Sequence, residues 1–269
     1  MYELVIESYV ELENAMLSVA TRYIVRPHST IDDMDDVRRL FNLRVMQLMT
    51  IARTYIECAP KAISRILPTD ETRGAATLKK LFSVEYDHRL GYRVMEALRN
   101  SAQHSGLPLN SLTMGGRWKG QNKKRKGRLE YYALTTLDTE TLKTDRNFKK
   151  KILTELDLLG KKHDLRPFMR DYLEGLSSAH GKMRLTLETN IGLARDLVHD
   201  AIEQWKTKAN TTKHPSGLIL ADTAEVGTYD IIRYISTRPL ESLKKLGRRN
   251  ENLVNLNLSH VSNDAEDGI

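Results

Sequence analysis

The chain has 269 residues, with 42 Lys and Arg against 35 Asp and Glu, a net charge of +7 and a pI near 9.3. It is 40% hydrophobic, with 15 Gly, 7 Pro and one Cys. These values exclude a collagen, a low-complexity chain and a highly charged disordered one, and the solitary Cys58 excludes an intrachain disulfide or a Cys-based zinc cluster.

No stretch approaches the roughly 20 apolar residues of a membrane-spanning helix, so no membrane partner is expected. The opening MYELVIESYVELENAM has neither the basic start nor the apolar run of a secretory signal. A reducing, cytoplasmic setting is the simplest expectation. The length allows one large domain, or one domain with an appendage.

Along the chain the pattern is helical first. Apolar residues recur at three- and four-residue steps from Leu4 to about Val25, and Pro27 ends that segment. Asp32, Asp33, Asp35 and Asp36 suit the positive end of a second helix, whose apolar positions continue to about Ala59. Pro60 starts a new helix or kinks this one, and Pro68 stops the run. Thr69 and Thr72 make a further helix start. A helix over about Val84–His104 then ends at Gly106 and Pro108, a C-cap glycine and a breaker.

The one clear β signal follows. Leu109–Trp118 and Arg128–Leu137 flank a basic run and predict a hairpin over about 109–137. Lys119, Lys123, Lys124, Arg125, Lys126 and Arg128 are candidate phosphate contacts at its tip, because such a run stays solvated and releases counterions on binding nucleic acid. The bland alternative is a solvated loop without a partner. Helices resume at about Arg146–Leu159 and from Leu165 to Trp205, with a break at Gly181. Beyond Asn210 the composition shifts, the run Leu218-Ile219-Leu220 appears, and a weak helix is expected near Tyr229–Leu246. The organisation expected is therefore mainly α: an up-and-down helical bundle over 1–210 with an inserted basic hairpin, then a C-terminal α/β appendage over 211–269 whose acidic end, SNDAEDGI, reads as a disordered tail.

The chemistry concentrates in Arg99-Asn100-Ser101-Ala102-Gln103-His104. At about 100° per residue with Leu90 as origin, the apolar stripe centres at about 40°, with Arg99 near 180°, Gln103 near 220°, Asn100 near 280° and His104 near 320°. A cation, two amides and an imidazole thus form one polar strip, with His104 at the border of the apolar stripe. Those groups suit metal-free cleavage of RNA. Imidazole serves as base or acid near neutral pH, guanidinium matches two phosphate oxygens, and an amide orients either. One copy holds only one such imidazole, whereas a two-fold dimer would supply two.

The stretch Ala97-Leu98-Arg99-Asn100-Ser101-Ala102-Gln103-His104-Ser105-Gly106-Leu107-Pro108 resembles the signature of the HEPN superfamily (higher eukaryotes and prokaryotes nucleotide-binding): Arg, a polar residue, three variable residues, His. The resemblance implies a helical bundle that forms a homodimer around a composite endoribonuclease site needing no metal or cofactor. In it Arg99 and His104 would be catalytic and Asn100 would support them; Gln103, on the same polar strip, is a candidate substrate contact. It also implies a toxin–antitoxin or phage-defence setting with a neutralising partner protein. The chain is about twice the length of the family's minimal toxins, and some members are inert adaptors.

Other readings compete. A non-catalytic RNA- or protein-binding adaptor would keep the bundle and the hairpin. His163-Asp164 and His199-Asp200 resemble the doublets of metal phosphohydrolases, although His163-Asp164 also suits a helix start. Gly115-Gly116 reads as a turn or bulge, and Ser177-Ser178 with His180 lacks a nucleophile elbow. Of Tyr131 and Tyr132, one at most is free to stack on a base. Trp118 and Trp205 are expected as packing anchors.

Overall fold

A computed structural model of the protein describes residues 1–26, 30–66, 71–109, 111–119, 127–213, 215, 217–225, 228–236 and 251–261. The stops assigned to Pro27 and Pro68, the Thr69 start, the Lys123–Lys126 run and the acidic tail lie outside the described residues. The fold is mainly helical with a small antiparallel sheet, and it divides into two compact units: Met1–His180 with Asn252–Ile269, and Gly181–Glu251. The composition shift near Asn210 falls later than this division, just after the helix Arg166–Lys208 ends. No helix among the described residues is long and apolar enough to cross a membrane.

The first unit opens with α1 (Tyr2–Val25), α2 (Ile31–Ile66), α3 (Glu71–His88) and α4 (Leu90–Ser105). Each packs on the next, and α4 also returns to α2. Val5, Leu12, Phe41, Leu48 and Leu98 are fully buried at these contacts. A reciprocal cap begins α2: the Asp33 amide donates to Thr30 Oγ1 at 3.1 Å, while Asp33 Oδ2 accepts from the Thr30 hydroxyl at 2.7 Å. Pro60 lies inside α2, which runs on for a turn and a half to Ile66.

The expected single helix over Val84–His104 is two helices, broken at Arg89, whose backbone is extended. The cause is tertiary. Arg89 bonds Glu85 in α3 and both Asp171 and Glu174 in a later helix, at 2.8, 2.8 and 3.2 Å. Asp171 also accepts from the Gly91 amide at 2.8 Å, so a side chain from far along the sequence caps the start of α4. A Cβ at Gly91 would come within 2.4 Å of the Phe168 carbonyl, which makes glycine necessary at this close approach.

After α4 the chain enters β1 (Ser111–Lys119) and β2 (Arg128–Asp138), then α5 (Thr139–Thr144), α6 (Lys150–Leu159), β3 (Lys162–Asp164) and α7 (Arg166–Lys208). The sheet order is β1-β2-β3, all antiparallel, and β1 pairs with β2 from Ser111↔Thr136 to Lys119↔Arg128 without a bulge. The hairpin therefore forms as expected, but Gly115 and Gly116 sit in mid-strand opposite Tyr132 and Tyr131. They leave room for those rings: a Cβ on Gly115 would stand 2.9 Å from the Tyr132 hydroxyl. β3 replaces the helix start expected at His163-Asp164, although Asp164 does accept from the Arg166 amide at the head of α7.

The α7 helix passes through Gly181 without the expected break. Its first half carries Met169, Tyr172, Leu173 and Leu176 into the core. Residues 251–261 lie along this half: the Leu253 amide donates to Ser177 Oγ at 2.8 Å, the Leu256 amide to Glu174 at 2.6 Å, and Arg170 to the Ser259 carbonyl at 2.9 Å. In the second unit, β4 (Gly217–Glu225) and β5 (Thr228–Ser236) form an antiparallel hairpin. The strand β5 overturns the helix expected from Tyr229. Its Ile231, Ile232, Tyr234 and Ile235 are β-branched or aromatic, residue types that favour a strand. The remainder of that expectation, 237–250, lies outside the described residues.

One buried clamp fixes the chain between α4 and β1. Asn42 accepts from the Leu109 amide at 2.8 Å and donates to its carbonyl at 3.1 Å. Asn42→Ala leaves both groups unpaired, at about 1–3 kcal/mol each. Urea denaturation should show a loss of about 2–6 kcal/mol on that basis. A loss within the error of extrapolation would mean that the clamp does not hold this junction.

Candidate functional site

The α4 helix presents its two faces as its sequence dictates. Tyr92, Val94, Met95, Ala97, Leu98 and Ser101 are buried, Arg99 is half-buried, and Asn100, Gln103 and His104 are exposed. Gly106 ends the helix with φ of 119°, a left-handed value that a residue with a Cβ rarely adopts. The expected polar strip is thus present on the surface, and His104, placed by the wheel at the border of the apolar stripe, is fully on its solvent side.

Arg99 and Asn100 form part of the wall of a cleft of about 480 Å3 between α2, α3, α4 and the N-cap of α6. Arg53 and Ile56 come from α2, Lys79, Phe82, Ser83 and Tyr86 from α3, and Lys149 from the turn before α6. His104 and Gln103 are not among the lining residues. His104 lies about one turn beyond Asn100, at about 40° around the helix from it.

Positive charge dominates the cleft. Its carboxylate, Glu96, is engaged on both oxygens: Oε1 accepts from the Tyr172 hydroxyl at 2.9 Å and Oε2 from Arg53 at 3.4 Å. Arg53 also bonds Glu57 at 2.6 Å. Glu57 is held below the ordinary carboxylate range, chiefly by this hydrogen bond and the Arg53 charge, with the field of Arg99 adding to it. The Lys149 ammonium donates to the Tyr86 hydroxyl at 2.9 Å and stands 5.3 Å from the centre of that ring. Burial pushes the phenols of Tyr92 and Tyr172 well above their ordinary range, and the nearby Glu96 charge pushes the same way. Both therefore stay neutral at working pH and are poor candidates for a base. Chemically, this cleft can hold an anion, and the imidazole of His104 lies one turn beyond it on α4.

The hairpin gives a mixed picture. Lys119 is exposed but ion-pairs with Glu130, which also takes Arg117 at 3.2 Å, so part of its charge is neutralised. Arg128 stands opposite Lys119 in the ladder; its side chain, like the whole of Lys123, Lys124, Arg125 and Lys126, is outside the described residues. Trp118 and Trp205, expected as anchors, are 42% and 39% exposed, because each projects from the outer part of its element. Both tyrosines of β2 are half-buried: Tyr131 packs edge-on against Tyr23, and Tyr132 lies across Gly115.

Of the competing constellations, His163-Asp164 and Ser177-Ser178 with His180 are tied into the fold by hydrogen bonds. His163 is buried, with Nε2 2.9 Å from the Gly160 carbonyl, and Asp164 is bonded to Arg166. His199 and Asp200 are exposed on α7. Among the described residues, no group of three His, Cys, Asp or Glu side chains is placed to hold a metal ion. Ser177 accepts from the Leu253 amide, Ser178 donates to Glu85 at 2.5 Å, and His180 Nδ1 lies 2.8 Å from the Tyr55 hydroxyl.

Sequence reasoning missed Lys79, Lys149, Arg53 and Tyr86. Each is an ordinary residue on its own helix, and nothing local marks it, since the cleft arises only when four segments converge. No family model matches the chain, and no curated protein and no solved structure is significantly similar to it.

Proposed function

We propose that the protein is a metal-independent endoribonuclease of the HEPN type, acting on single-stranded RNA or tRNA loops through a site composed at a homodimer interface. The observation that carries this reading is the half-buried Arg99 in a cleft with excess positive charge, with Asn100 and His104 following on the same exposed side of α4. In the reaction, one His104 takes the proton of the ribose 2′-hydroxyl and the 2′-oxygen attacks phosphorus. The bond to the 5′-oxygen breaks, and the leaving oxygen receives a proton from the second copy's imidazole. Arg99 neutralises the charge that gathers on the phosphorane oxygens, and Asn100 donates to phosphate or orients the imidazole. The products are a 2′,3′-cyclic phosphate and a 5′-hydroxyl. No metal or cofactor takes part. The proposed setting is a cytoplasmic toxin–antitoxin or phage-defence system in which a partner protein neutralises the enzyme.

The position of His104 outside the cleft lining favours, as the second reading, a non-catalytic adaptor that binds RNA through the same cations. Incubating the purified chain with single-stranded RNA in excess EDTA separates the two. Cleavage should persist, and the downstream fragment should accept phosphate from a polynucleotide kinase without prior dephosphorylation. Intact RNA under these conditions, with binding retained, would leave the adaptor.

The basic tip supplies a separate prediction. Replacing Lys123, Lys124 and Lys126 by alanine should weaken RNA binding and flatten its salt dependence, by about 0.7 in the logarithmic slope for each phosphate no longer neutralised. An unchanged slope would assign the tip to plain solvation.

A further inference from the structure

The cleft beside Arg99 contains more cationic and aromatic groups than one phosphodiester needs. Lys79, Ser83 and Tyr86 recur at four- and three-residue steps on α3 and so share the face that lines it. The Lys149 ammonium reaches the same face from the α6 N-cap and rests on the Tyr86 hydroxyl and ring. A tyrosine hydroxyl, and not a carboxylate, holds this cation in place, so no ion pair offsets the lysine charge there. Glu96 is already engaged by Arg53 and Tyr172. Lys79, Lys149 and Arg99 therefore form an arc of positive charge over an aromatic floor, in a space of the size that takes a small-molecule ligand.

The geometry points to this cleft as the seat of an unpaired nucleotide adjoining the bond to be cut, with its phosphate between Lys79 and Lys149 and its base against Tyr86. The inference rests on the ribonuclease reading and adds to it the residues that position the substrate strand. It also supplies a reason for single-strand preference: a base set against Tyr86 must first be splayed out of any duplex.

The test uses the full chain and a single-stranded oligonucleotide with 2′-deoxy sugars, which cannot be cleaved by 2′-oxygen attack. Its affinity is measured by fluorescence anisotropy over a range of salt. Lys79→Ala combined with Lys149→Ala should weaken binding about tenfold and lower the logarithmic salt slope by about 0.7, the single-strand value for the one phosphate held between the two lysines. Lys80→Ala combined with Lys150→Ala, at exposed positions outside the cleft lining, should match wild type. Lys79→Arg with Lys149→Arg should keep most of the affinity, since charge is conserved. Wild-type affinity and slope in the double alanine variant, alongside normal RNA cleavage by the unmutated chain, would overturn the subsite and leave the nuclease reading standing. A chain that neither binds the oligonucleotide nor cleaves RNA would remove both. A free nucleoside monophosphate provides the last arm: if the double variant loses it while oligonucleotide affinity is unchanged, the cleft serves a soluble nucleotide and the inference fails.

Discussion

His104→Ala and Arg99→Ala should each reduce RNA cleavage by at least about 100-fold, the lower scale of general acid–base catalysis. Both side chains project from the outer side of α4, exposed in the first case and half-buried in the second. Their removal leaves no cavity, and urea midpoints should stay near wild type. The two losses should differ in kind. Without the imidazole the RNA still meets the cations of the cleft, so kcat falls and binding is largely kept; without the guanidinium both suffer, because Arg99 contacts the phosphate before and during reaction. His104→Gln, which preserves hydrogen bonding but cannot shuttle a proton, should be as inactive as the alanine variant. Wild-type rates in any of the three would remove the assignment.

Arg89→Ala should have the largest effect on stability. The guanidinium gathers Glu85, Asp171 and Glu174 at the α3–α4 corner, and Glu85 is 8% exposed in its side chain. Burial works against the charge of Arg89, yet the bonds to Glu85 and Asp171 more than offset this and raise its pKa. Truncation leaves three carboxylates facing one another, one of them buried. Breaking such a buried pair costs about 3–5 kcal/mol, and about 3 kcal/mol is expected here because Asp171 retains some solvent. Equilibrium urea unfolding would register it. A shift below about 1 kcal/mol, the range of a surface ion pair, would show that the corner is held by packing instead. The same corner sets the direction of α4, so the site depends on an ion cluster at the opposite end of its own helix.

What the sequence discloses and what it conceals divide along the range of the forces involved. Periodicity locates α1, α2 and the burial of one face of α4, because each rests on contacts within a turn or two. The off-stripe positions of Arg99, Asn100, Gln103 and His104 follow from the same arithmetic. The hairpin is legible from β-prone runs on either side of a glycine-bounded basic loop. The interruption at Arg89 is not, since its cause lies in Asp171 and Glu174, far along the chain in α7. Gly181 reads as a breaker, yet α7 passes through it, as through Gly175 and Gly192, because a long helix tolerates isolated glycines. Tyr229–Ser236 has apolar residues on successive positions, a pattern that periodicity assigns to either element. Lys79 and Lys149 are ordinary lysines until α3 and the α6 N-cap meet around Arg99. Trp118 misleads in a further way: a large aromatic near a hairpin tip has too little of the fold around it to be buried.

The most direct test of the composite site is poisoning of the wild-type chain by an inactive one. His104→Ala protein is mixed with wild type at fixed total protein, allowed to exchange subunits, and assayed for RNA cleavage in EDTA. If two copies share one cleft, a mixed dimer lacks one of the two imidazoles that the reaction uses, and activity should fall with the square of the wild-type fraction. If activity falls only in proportion to that fraction while subunit exchange is verified, each copy works alone, and the shared site is contradicted.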